Sequence, residues 1–273
     1  MFKTVGIVAR LDKKDAVQLA NKIASHLLSK GLTVLFDSEL GLLKGKAVAL
    51  NNMLADLLVV IGGDGTILRT CMSIPKPETP ILGINMGTKG FLTEVKPEDA
   101  LKTIDKCLAG KYLTEECAKL SLHVNGDKLP DSLNEVVMAS TQPLKMLYFK
   151  VSIDGFSQVE YGADGIIVST PVGSTAYSYA AGGPAVDSRV DAFILTPLNP
   201  LTLTRPMVIP STSTVRIELL KPNVKAAIIV DGVYQREITP NQSLRVKKSS
   251  YNSVFIRIRE DFFQNRLKGR GLL

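Results

Sequence analysis

The stretch that decides the fold is DLLVVIGGDGT, residues 56–66, in which an apolar run leads directly into a glycine-rich turn. Asp56–Ile61 is predicted to be a buried strand, and Thr66–Ser73 is predicted to be a helix. Glycines let the backbone approach a ligand closely, and a helix N-terminus adds positive potential. The pattern therefore indicates a phosphate-binding loop at the carboxyl end of an α/β strand, where ligands gather.

A carboxylate stands inside this loop, at Asp64. It would repel a phosphate group unless it had another role. It could hold a metal ion, or accept a proton from an attacking hydroxyl group. The alternative interpretation is a tight turn in which Asp64 only caps the following helix, which aspartate does well.

The segments on either side of this loop alternate between strand and helix patterns. Such alternation is typical of an open, doubly wound α/β domain, which we expect over residues 1–112. The predicted elements are strands at 3–10, Leu32–Asp37 and Pro80–Asn85, and helices at Lys14–Lys30 and Pro97–Leu108.

From residue 113 to residue 253 the pattern changes to short β-type runs separated by turn residues, which favours a β-sandwich domain. Two stretches are expected not to be strands: Thr170–Val186 and Thr196–Pro210. Residues 254–273 return to a strand and a basic helix that we expect to pack back on the first domain. The predicted strands are Lys119–Val124, Glu135–Ala139, Leu147–Ile153, Gly165–Val168, Val215–Leu220, Ala226–Val230 and Leu244–Lys247.

Three features of the second domain are candidates for ligand binding. Asn134-Glu135 lies just before a strand, where an amide and a carboxylate can bind a vicinal diol, although loops contain many such pairs. The run 161–186 carries hydroxyl groups and small residues that suit a flat polar ligand. A Ser/Gly linker is its alternative, but a linker would not carry two tyrosines after a core strand. Asp231-Gly232 is first a hairpin signal and second a site candidate.

Composition limits the partners. The net charge of +7 comes from scattered Lys and Arg residues, which fits a cleft for small polyanions about as well as a solvated surface. Aromatic residues make up 6% and Trp is absent, so stacking along nucleic acid is not expected. Three cysteines outside any Cys-x-x-Cys pair, and no signal-like or membrane-spanning apolar run, favour a cytoplasmic protein without a membrane partner.

Taken together and in this order, the motifs resemble the NAD kinase family, of the ATP-dependent bacterial type. The glycine-rich loop is shared with lipid kinases and phosphofructokinases, whereas the run Ser169-Thr-Pro-Val-Gly-Ser-Thr-Ala-Tyr177 with Gly183-Pro184 is far more specific. The other matching pieces are Gly83-Ile84-Asn85, Gly87, Gly90-Phe91-Leu92, Asn134-Glu135, Asp164-Gly165 and Asp231-Gly232.

The resemblance implies an NAD kinase that uses ATP and Mg²⁺ and has NAD as its acceptor substrate. Asp64 would act on the 2′-hydroxyl of the adenosine ribose, and dimers or tetramers would complete shared NAD pockets. It does not assign the metal ligands. The expected binding residues are Gly62, Gly63, Gly65 and Thr66 in the loop, Phe91 near the adenine, Asn134 and Glu135 at the ribose or adenine, and Asp164, Ser174, Thr175, Ala176, Tyr177 and Asp231 around the dinucleotide.

Two alternatives stay open at this point. A lipid or sphingoid-base kinase would share the glycine loop but would need a large apolar slot, whereas Thr175–Tyr179 is small and polar. A non-catalytic NAD(P)-binding sensor would bind the dinucleotide without phosphate transfer, and the carboxylate at Asp64 argues against it.

Overall fold

A computed structural model describes residues 2–269 of the chain, except 42–43, 88–89, 143, 221–224 and 241. The chain forms two compact units. Unit 1 comprises Met1–Glu116 and Ser253–Leu273, and unit 2 comprises Cys117–Asn252. Unit 2 is therefore an insertion between two separate parts of unit 1.

The described residues of unit 1 form seven strands and four α-helices. The strands are β1 (Thr4–Ala9), β2 (Thr33–Asp37), β3 (Lys46–Val48), β4 (Leu57–Gly62), β5 (Ile81–Asn85), β6 (Leu113–Cys117) and β19 (Ser253–Arg257). The helices are α1 (Lys14–Ser29), α2 (Asp64–Ser73), α3 (Ala100–Leu108) and α5 (Phe262–Gly269). One-turn 3-10 helices lie at Ser38–Leu40, Leu50–Asn52 and Pro97–Asp99.

The sheet of unit 1 has the strand order β3-β2-β1-β4-β5-β19-β6, and the pairs from β3 to β19 are parallel. All six residues of β4 are buried, as expected for a strand covered by helices on both faces. Helix α1 buries the apolar stripe that its spacing predicts, including Ala20, Ile23 and Leu27. The order of strands reverses between β1 and β4, which is where such sheets bind ligands.

Where the structure describes it, unit 2 forms twelve strands in two six-stranded antiparallel sheets. They are β7 (Leu120–Val124), β8 (Asp127–Lys128), β9 (Glu135–Ser140), β10 (Leu147–Ile153), β11 (Ser157–Ala163), β12 (Gly165–Ser169), β13 (Ala192–Leu198), β14 (Met207–Pro210), β15 (Val215–Leu219), β16 (Ala226–Val230), β17 (Tyr234–Ile238) and β18 (Ser243–Lys248). Their orders are β11-β10-β15-β18-β7-β8 and β14-β13-β12-β9-β16-β17. The predicted class, an α/β domain followed by an antiparallel β domain, is confirmed.

One prediction about unit 2 was wrong. The stretch Thr196–Pro210 was expected to contain no strand, yet it holds the end of β13 and all of β14. All seven residues of β13 are buried, and the strand pairs on both sides, with Pro197 opposite Ile166. Burial of the apolar run that begins at Ala192 favours the strand, and β14 pairs only with Ala192–Leu195, so Pro197 lies beyond that pairing, where proline is tolerated.

The other non-strand prediction, Thr170–Val186, was right. This stretch contains a 3-10 turn at Gly173–Thr175 and one short helix, α4 (Tyr177–Ala180). The sequence analysis missed several strands, among them β6 and β11. Strand β6 belongs to the sheet of unit 1. No helix within the described part of the chain is both long and apolar enough to cross a membrane.

Candidate functional site

The glycine-rich loop of unit 1 joins the end of β4 to the start of α2. The helix begins at Asp64, two residues earlier than predicted, and the amides of Thr66 and Ile67 donate to the Gly63 carbonyl at 3.0 and 3.3 Å. The amides of the first helical residues have no intrahelical acceptor, so they can bind an anion. A Cβ added at Gly62 would overlap Thr66, whereas Gly63 and Gly65 have no neighbouring atom within 4 Å of that position. The loop is thus tightly packed at Gly62 and has open space beside Gly63 and Gly65.

The Asp64 carboxylate binds backbone amides of the segment that follows β5. The Phe91 amide donates to both carboxylate oxygens, at 2.9 and 3.0 Å, and the Leu92 amide donates to one of them at 2.9 Å. The N-cap of α2 is Gly63, with no side-chain cap hydrogen bond. The interpretation of Asp64 as a helix cap is therefore wrong. Through these hydrogen bonds its side chain instead links the glycine-rich loop to the segment Gly90–Thr93.

A cleft of about 330 Å³ opens beside this loop, where the strand order reverses between β1 and β4. The residues after β1 and the start of α2 line it, including Arg10, Gly65 and Thr66. Arg69 also lines the cleft and is held by Asp37 at 3.0 Å. Each guanidinium group near the loop amides is paired with a carboxylate that also lines the cleft, Arg10 with Asp12 at 2.6 Å and Arg69 with Glu39 at 2.9 Å. A polyphosphate would bind these guanidinium groups by replacing the carboxylates. Sequence reasoning missed Arg10 and Arg69, although Arg10 is the last residue of the first predicted strand and directly follows β1 in the structure.

In unit 2, Asp231 organises the loop before β9. It lies in the turn between β16 and β17, so the hairpin signal is confirmed. Its carboxylate accepts hydrogen bonds from the Ser132 hydroxyl at 2.6 Å and from the amides of Leu133, Asn134 and Glu135 at 2.8, 2.9 and 3.0 Å. Burial raises the pKa of Asp231, and these four hydrogen bonds oppose that effect. Asp231 thus fixes the backbone on which the candidate pair Asn134-Glu135 stands.

The side chains of Asn134 and Glu135 are both buried and incompletely bonded. Asn134 Oδ1 and Glu135 Oε2 have no hydrogen-bond partner among the described residues. Burial, and secondly the negative charge of Asp231, raise the pKa of Glu135 to about 8, and a hydrogen bond from the Tyr177 amide opposes the shift. Buried polar atoms are normally satisfied, so two unused oxygens side by side indicate a place for a polar ligand.

The segment after β12 packs directly on this pair. The Thr170 hydroxyl donates to the Leu133 carbonyl at 2.6 Å, and the Thr170 amide donates to the Asn134 carbonyl at 2.9 Å. A Cβ added at Gly173 would overlap the Asn134 backbone. Only glycine allows this approach, which brings the Gly173–Tyr177 segment, with Thr175 and Ala176, against Asn134-Glu135.

Two predicted binding residues are placed differently from the rest. The Ser174 hydroxyl donates to the Pro171 carbonyl at 2.6 Å and accepts from the Val186 amide at 2.9 Å, so the chain's own backbone uses it. Asp164 precedes β12 at the end opposite Glu135, since Gly165 pairs with Ala139 and Ser169 pairs with Glu135. Five residues of strand separate them by roughly 16 Å. One chain therefore does not bring Asp164 next to Glu135.

Metal ligands are not evident from the protein alone. Among residues 2–269, apart from the gaps stated above, no group of three or more His, Cys, Asp or Glu side chains could hold a metal ion. All three cysteines are buried thiols outside any disulfide bond.

Two family models match consecutive parts of the chain. The ATP-NAD kinase N-terminal domain matches residues 5–112, and the ATP-NAD kinase C-terminal domain matches residues 133–258. The chain belongs to the NAD kinase family. It is accordingly a phosphotransferase with an alcohol group as acceptor, and the lipid-kinase interpretation is wrong.

Individual relatives agree with this membership. The chain is 44% identical to an NAD kinase of Methanothermobacter thermautotrophicus over 95% of this chain and 93% of that protein. It is 40% identical to one of Thermococcus gammatolerans over 97% and 99%. An NAD kinase from Archaeoglobus fulgidus in complex with ATP superposes with a TM-score of 0.80 at 26% identity, over 99% of each chain. Yeast NADH kinase complexed with NADH has the same fold, with a TM-score of 0.90 at 22% identity over 97% of this chain and 86% of that one.

Proposed function

We propose that this enzyme transfers the γ-phosphoryl group of ATP to the 2′-hydroxyl of the adenosine ribose of NAD, forming NADP. The observation that carries the proposal is the position of Asp64, a carboxylate within an open glycine loop at the start of a helix. Family membership supplies the substrate class, and two similar proteins of known structure were solved with ATP and with NADH.

In the proposed reaction the ribose oxygen attacks the γ-phosphorus while the bond from that phosphorus to the β,γ-bridging oxygen breaks, and ADP leaves. The Asp64 carboxylate takes the hydroxyl proton. Two backbone amides occupy part of that carboxylate. A carboxylate has about four acceptor positions, so it can still receive a hydroxyl group. The amides at the start of α2, together with Arg10 and Arg69, would stabilise the charge on the phosphoryl oxygens.

The residues present fit Mg²⁺ bound mainly by the nucleotide. Magnesium in phosphoryl-transfer sites commonly uses one or two carboxylates together with substrate phosphates and water. Asp64 is the carboxylate within the glycine loop, and it would hold the ion together with the phosphate groups of the nucleotide. When bound, the ion would neutralise negative charge on the triphosphate.

The adenosine part of NAD is proposed to bind at Asn134 and Glu135. The unused Asn134 Oδ1 can accept a hydrogen bond. The pKa of Glu135 is about 8, so at neutral pH its carboxyl group keeps its proton and can donate a hydrogen bond as well as accept one. Tyr177 is 48% exposed and offers a ring at the edge of the same site.

We also propose a dimer or tetramer with shared NAD pockets, located in the cytoplasm. Asp164 lies at the end of β12 away from Glu135, so it would serve the pocket of a second copy. Leu201 and Leu203, in the loop after β13, are 64% and 87% exposed, and the Leu201 amide bonds to Gly162 close to Asp164. Exposed apolar side chains near a candidate site favour a protein interface. Light scattering after size-exclusion chromatography tests the oligomer, and a monomer would contradict it.

The decisive experiment measures NADP formation from ATP, Mg²⁺ and NAD with Asp64→Asn. Loss of the base should lower kcat by about 10²- to 10⁴-fold. Asp56→Asn is the matched control, because the Asp56 carboxylate also accepts two backbone amides, at 2.8 and 2.9 Å, in the same unit. Near-normal turnover by a folded Asp64→Asn variant would refute the role of Asp64. Tight NAD binding by the unchanged protein without NADP formation would favour the sensor instead.

A further inference from the structure

A second cavity, of about 570 Å³, lies in unit 1. It is lined by α3, by the segment that follows Gly90, and by the start of α5. None of Gly62–Thr66 lines it, so it is separate from the glycine loop. Its volume lies within the usual range for small-molecule sites, roughly 300 to 1,000 Å³.

The walls of this cavity carry more positive than negative charge. Lys102 and Lys106 are one turn apart on α3, and Lys96 and Arg259 stand on the flanking segments. Within the described part of the chain, no carboxylate lies within ion-pair distance of Lys102, Lys106 or Arg259. Cations that converge on a concave surface without such partners attract an anion, and phosphate esters suit lysine and arginine well.

The same walls also carry groups that phosphate alone does not need. Glu94 and Asp99 provide carboxylate acceptors. Glu94 is partly buried, and its carboxylate accepts hydrogen bonds from the Ile258 amide at 3.3 Å and from the Arg259 amide, and it is attracted by the charges of Arg257 and Arg259. The ring of Phe262 lines the cavity and lies against the Arg257 guanidinium, 3.5 Å from ring centroid to Cζ. Carboxylates bind sugar hydroxyls, and the face of the Phe262 ring that Arg257 does not cover can stack on a planar base.

We propose that this cavity binds a nucleotide, with its phosphate on Lys102, Lys106 and Arg259, its ribose hydroxyls on Glu94, and its base on Phe262. The site is additional to those for the phosphoryl donor and acceptor.

The cavity is connected to Asp64 by a short segment of backbone. Gly90 and Thr93 line the cavity, and the two residues between them, Phe91 and Leu92, donate their amides to the Asp64 carboxylate. Gly90 and Thr93 also pack so closely that a Cβ at Gly90 would overlap the Thr93 hydroxyl. A nucleotide in the cavity therefore shifts the two backbone amides that hold the Asp64 carboxylate, and so regulates phosphoryl transfer. This consequence rests on the proposed function.

Binding is tested with the full-length protein by equilibrium dialysis of labelled AMP, with saturating NAD and Mg²⁺ but no ATP, so that the dinucleotide pocket is filled and no turnover occurs. The variant is Lys102→Ala with Lys106→Ala. Its matched control is Lys14→Ala with Lys22→Ala, which removes the same charge from the exposed side of α1. We expect AMP binding to weaken about tenfold or more in the first variant and to be unchanged in the second.

Each other outcome of the dialysis overturns part of the proposal. Equal AMP affinity in both variants, or no saturable binding to the unchanged protein, refutes the site. If inorganic phosphate displaces labelled AMP as effectively as unlabelled AMP does, the cavity binds phosphate only, and the assignment of a nucleotide is refuted.

The regulatory step is tested separately, by titrating AMP into the NADP-forming assay. We expect kcat/KM to change at least twofold in the unchanged protein and in the Lys14/Lys22 control, but not in the Lys102/Lys106 variant, whose activity without AMP should be normal. Binding without any change in kcat/KM refutes the coupling alone. If no NADP forms at all, the proposed function fails while the dialysis still decides the site.

Discussion

The buried carboxyl group of Glu135 should make the stability of unit 2 depend on pH. The pKa of Glu135 is about 8 in the folded protein, against an ordinary value of 4.5, chiefly because of burial and secondly because of the charge of Asp231. Between these two values the folded chain holds a proton that the unfolded chain has lost. The contribution of the protonated Glu135 side chain to the free energy of unfolding is therefore complete below pH 4.5 and is lost as the pH rises through about 8.

The size of this effect follows from the shift. Each pH unit within the window changes the free energy of unfolding by about 1.4 kcal/mol. A shift from 4.5 to about 8 therefore corresponds to about 5 kcal/mol at most. That is comparable to the whole stability of a small domain, roughly 5 to 15 kcal/mol.

The perturbation is Glu135→Gln, which keeps the side chain neutral at every pH. Urea unfolding is measured at pH 5, 6, 7 and 8 for the unchanged protein and the variant, and the difference between the two removes the contribution of other groups. We expect the unchanged protein to lose stability relative to Glu135→Gln as the pH rises. Glu160→Gln, at an exposed position of β11 in the same unit, is the control and should show no such trend.

Parallel pH profiles for the unchanged protein and Glu135→Gln would refute the reasoning, because they would mean that Glu135 titrates alike in both states. Asp231→Asn separates the two causes. Removing the charge of Asp231 should lower the pKa of Glu135 in the folded protein, so that stability depends on pH over a smaller range. Some dependence should remain, because burial is the larger cause of the raised pKa.

Three further predictions concern packing. Gly65→Ala should leave the free energy of unfolding unchanged or raise it by about 0.5 to 1 kcal/mol, because the added methyl group enters open space. The same methyl group would occupy the space proposed for phosphate, so NADP formation should fall at least tenfold. Normal activity would contradict the role of this loop in phosphate binding. Gly173→Ala should cost about 1 to 3 kcal/mol in urea unfolding and weaken NAD binding, since its Cβ overlaps Asn134, and Gly65→Ala is its control. Arg257→Ala should cost about 3 to 5 kcal/mol, because Arg257 is 3% exposed and pairs with Glu115 at 2.7 Å; a loss below 1 kcal/mol would contradict this.

The sequence predicted best those features that depend on local pattern. The strand, glycine turn and helix around Asp64 were recognisable because the apolar run, the glycines and the helical spacing are adjacent. Leu147–Ile153 and Ala226–Val230 agree with the structure at both ends because turn residues bound them. Strand β13 was not predicted at all, and its end lies in the stretch Thr196–Pro210, because Thr196 and Pro197 suggest a loop unless the pairing with β12 is known.

Contacts between distant residues could not be predicted in the same way. The amides that hold Asp64 lie 27 and 28 residues further on, and no local pattern announces them. The role of Asp231 depends on amides 96 to 98 residues away. A hairpin turn gives no sign that its first residue also fixes another loop. For the same reason the cavity beside α3 was not foreseen, because its two sides are far apart in the chain.

The place of β19 in the sheet has a consequence for biosynthesis. It lies between β5 and β6, although it follows all of unit 2 in the chain. While the ribosome is making unit 2, the first sheet has no strand at this position. The Ile81 end of β5 then lacks its partner, whereas the Ile84 end is already bridged by Val95. Unpaired strand edges favour pairing with other chains. We therefore expect unit 2 to fold before unit 1 is complete, and nascent chains stalled before Ser253 to need chaperones more than the released protein does.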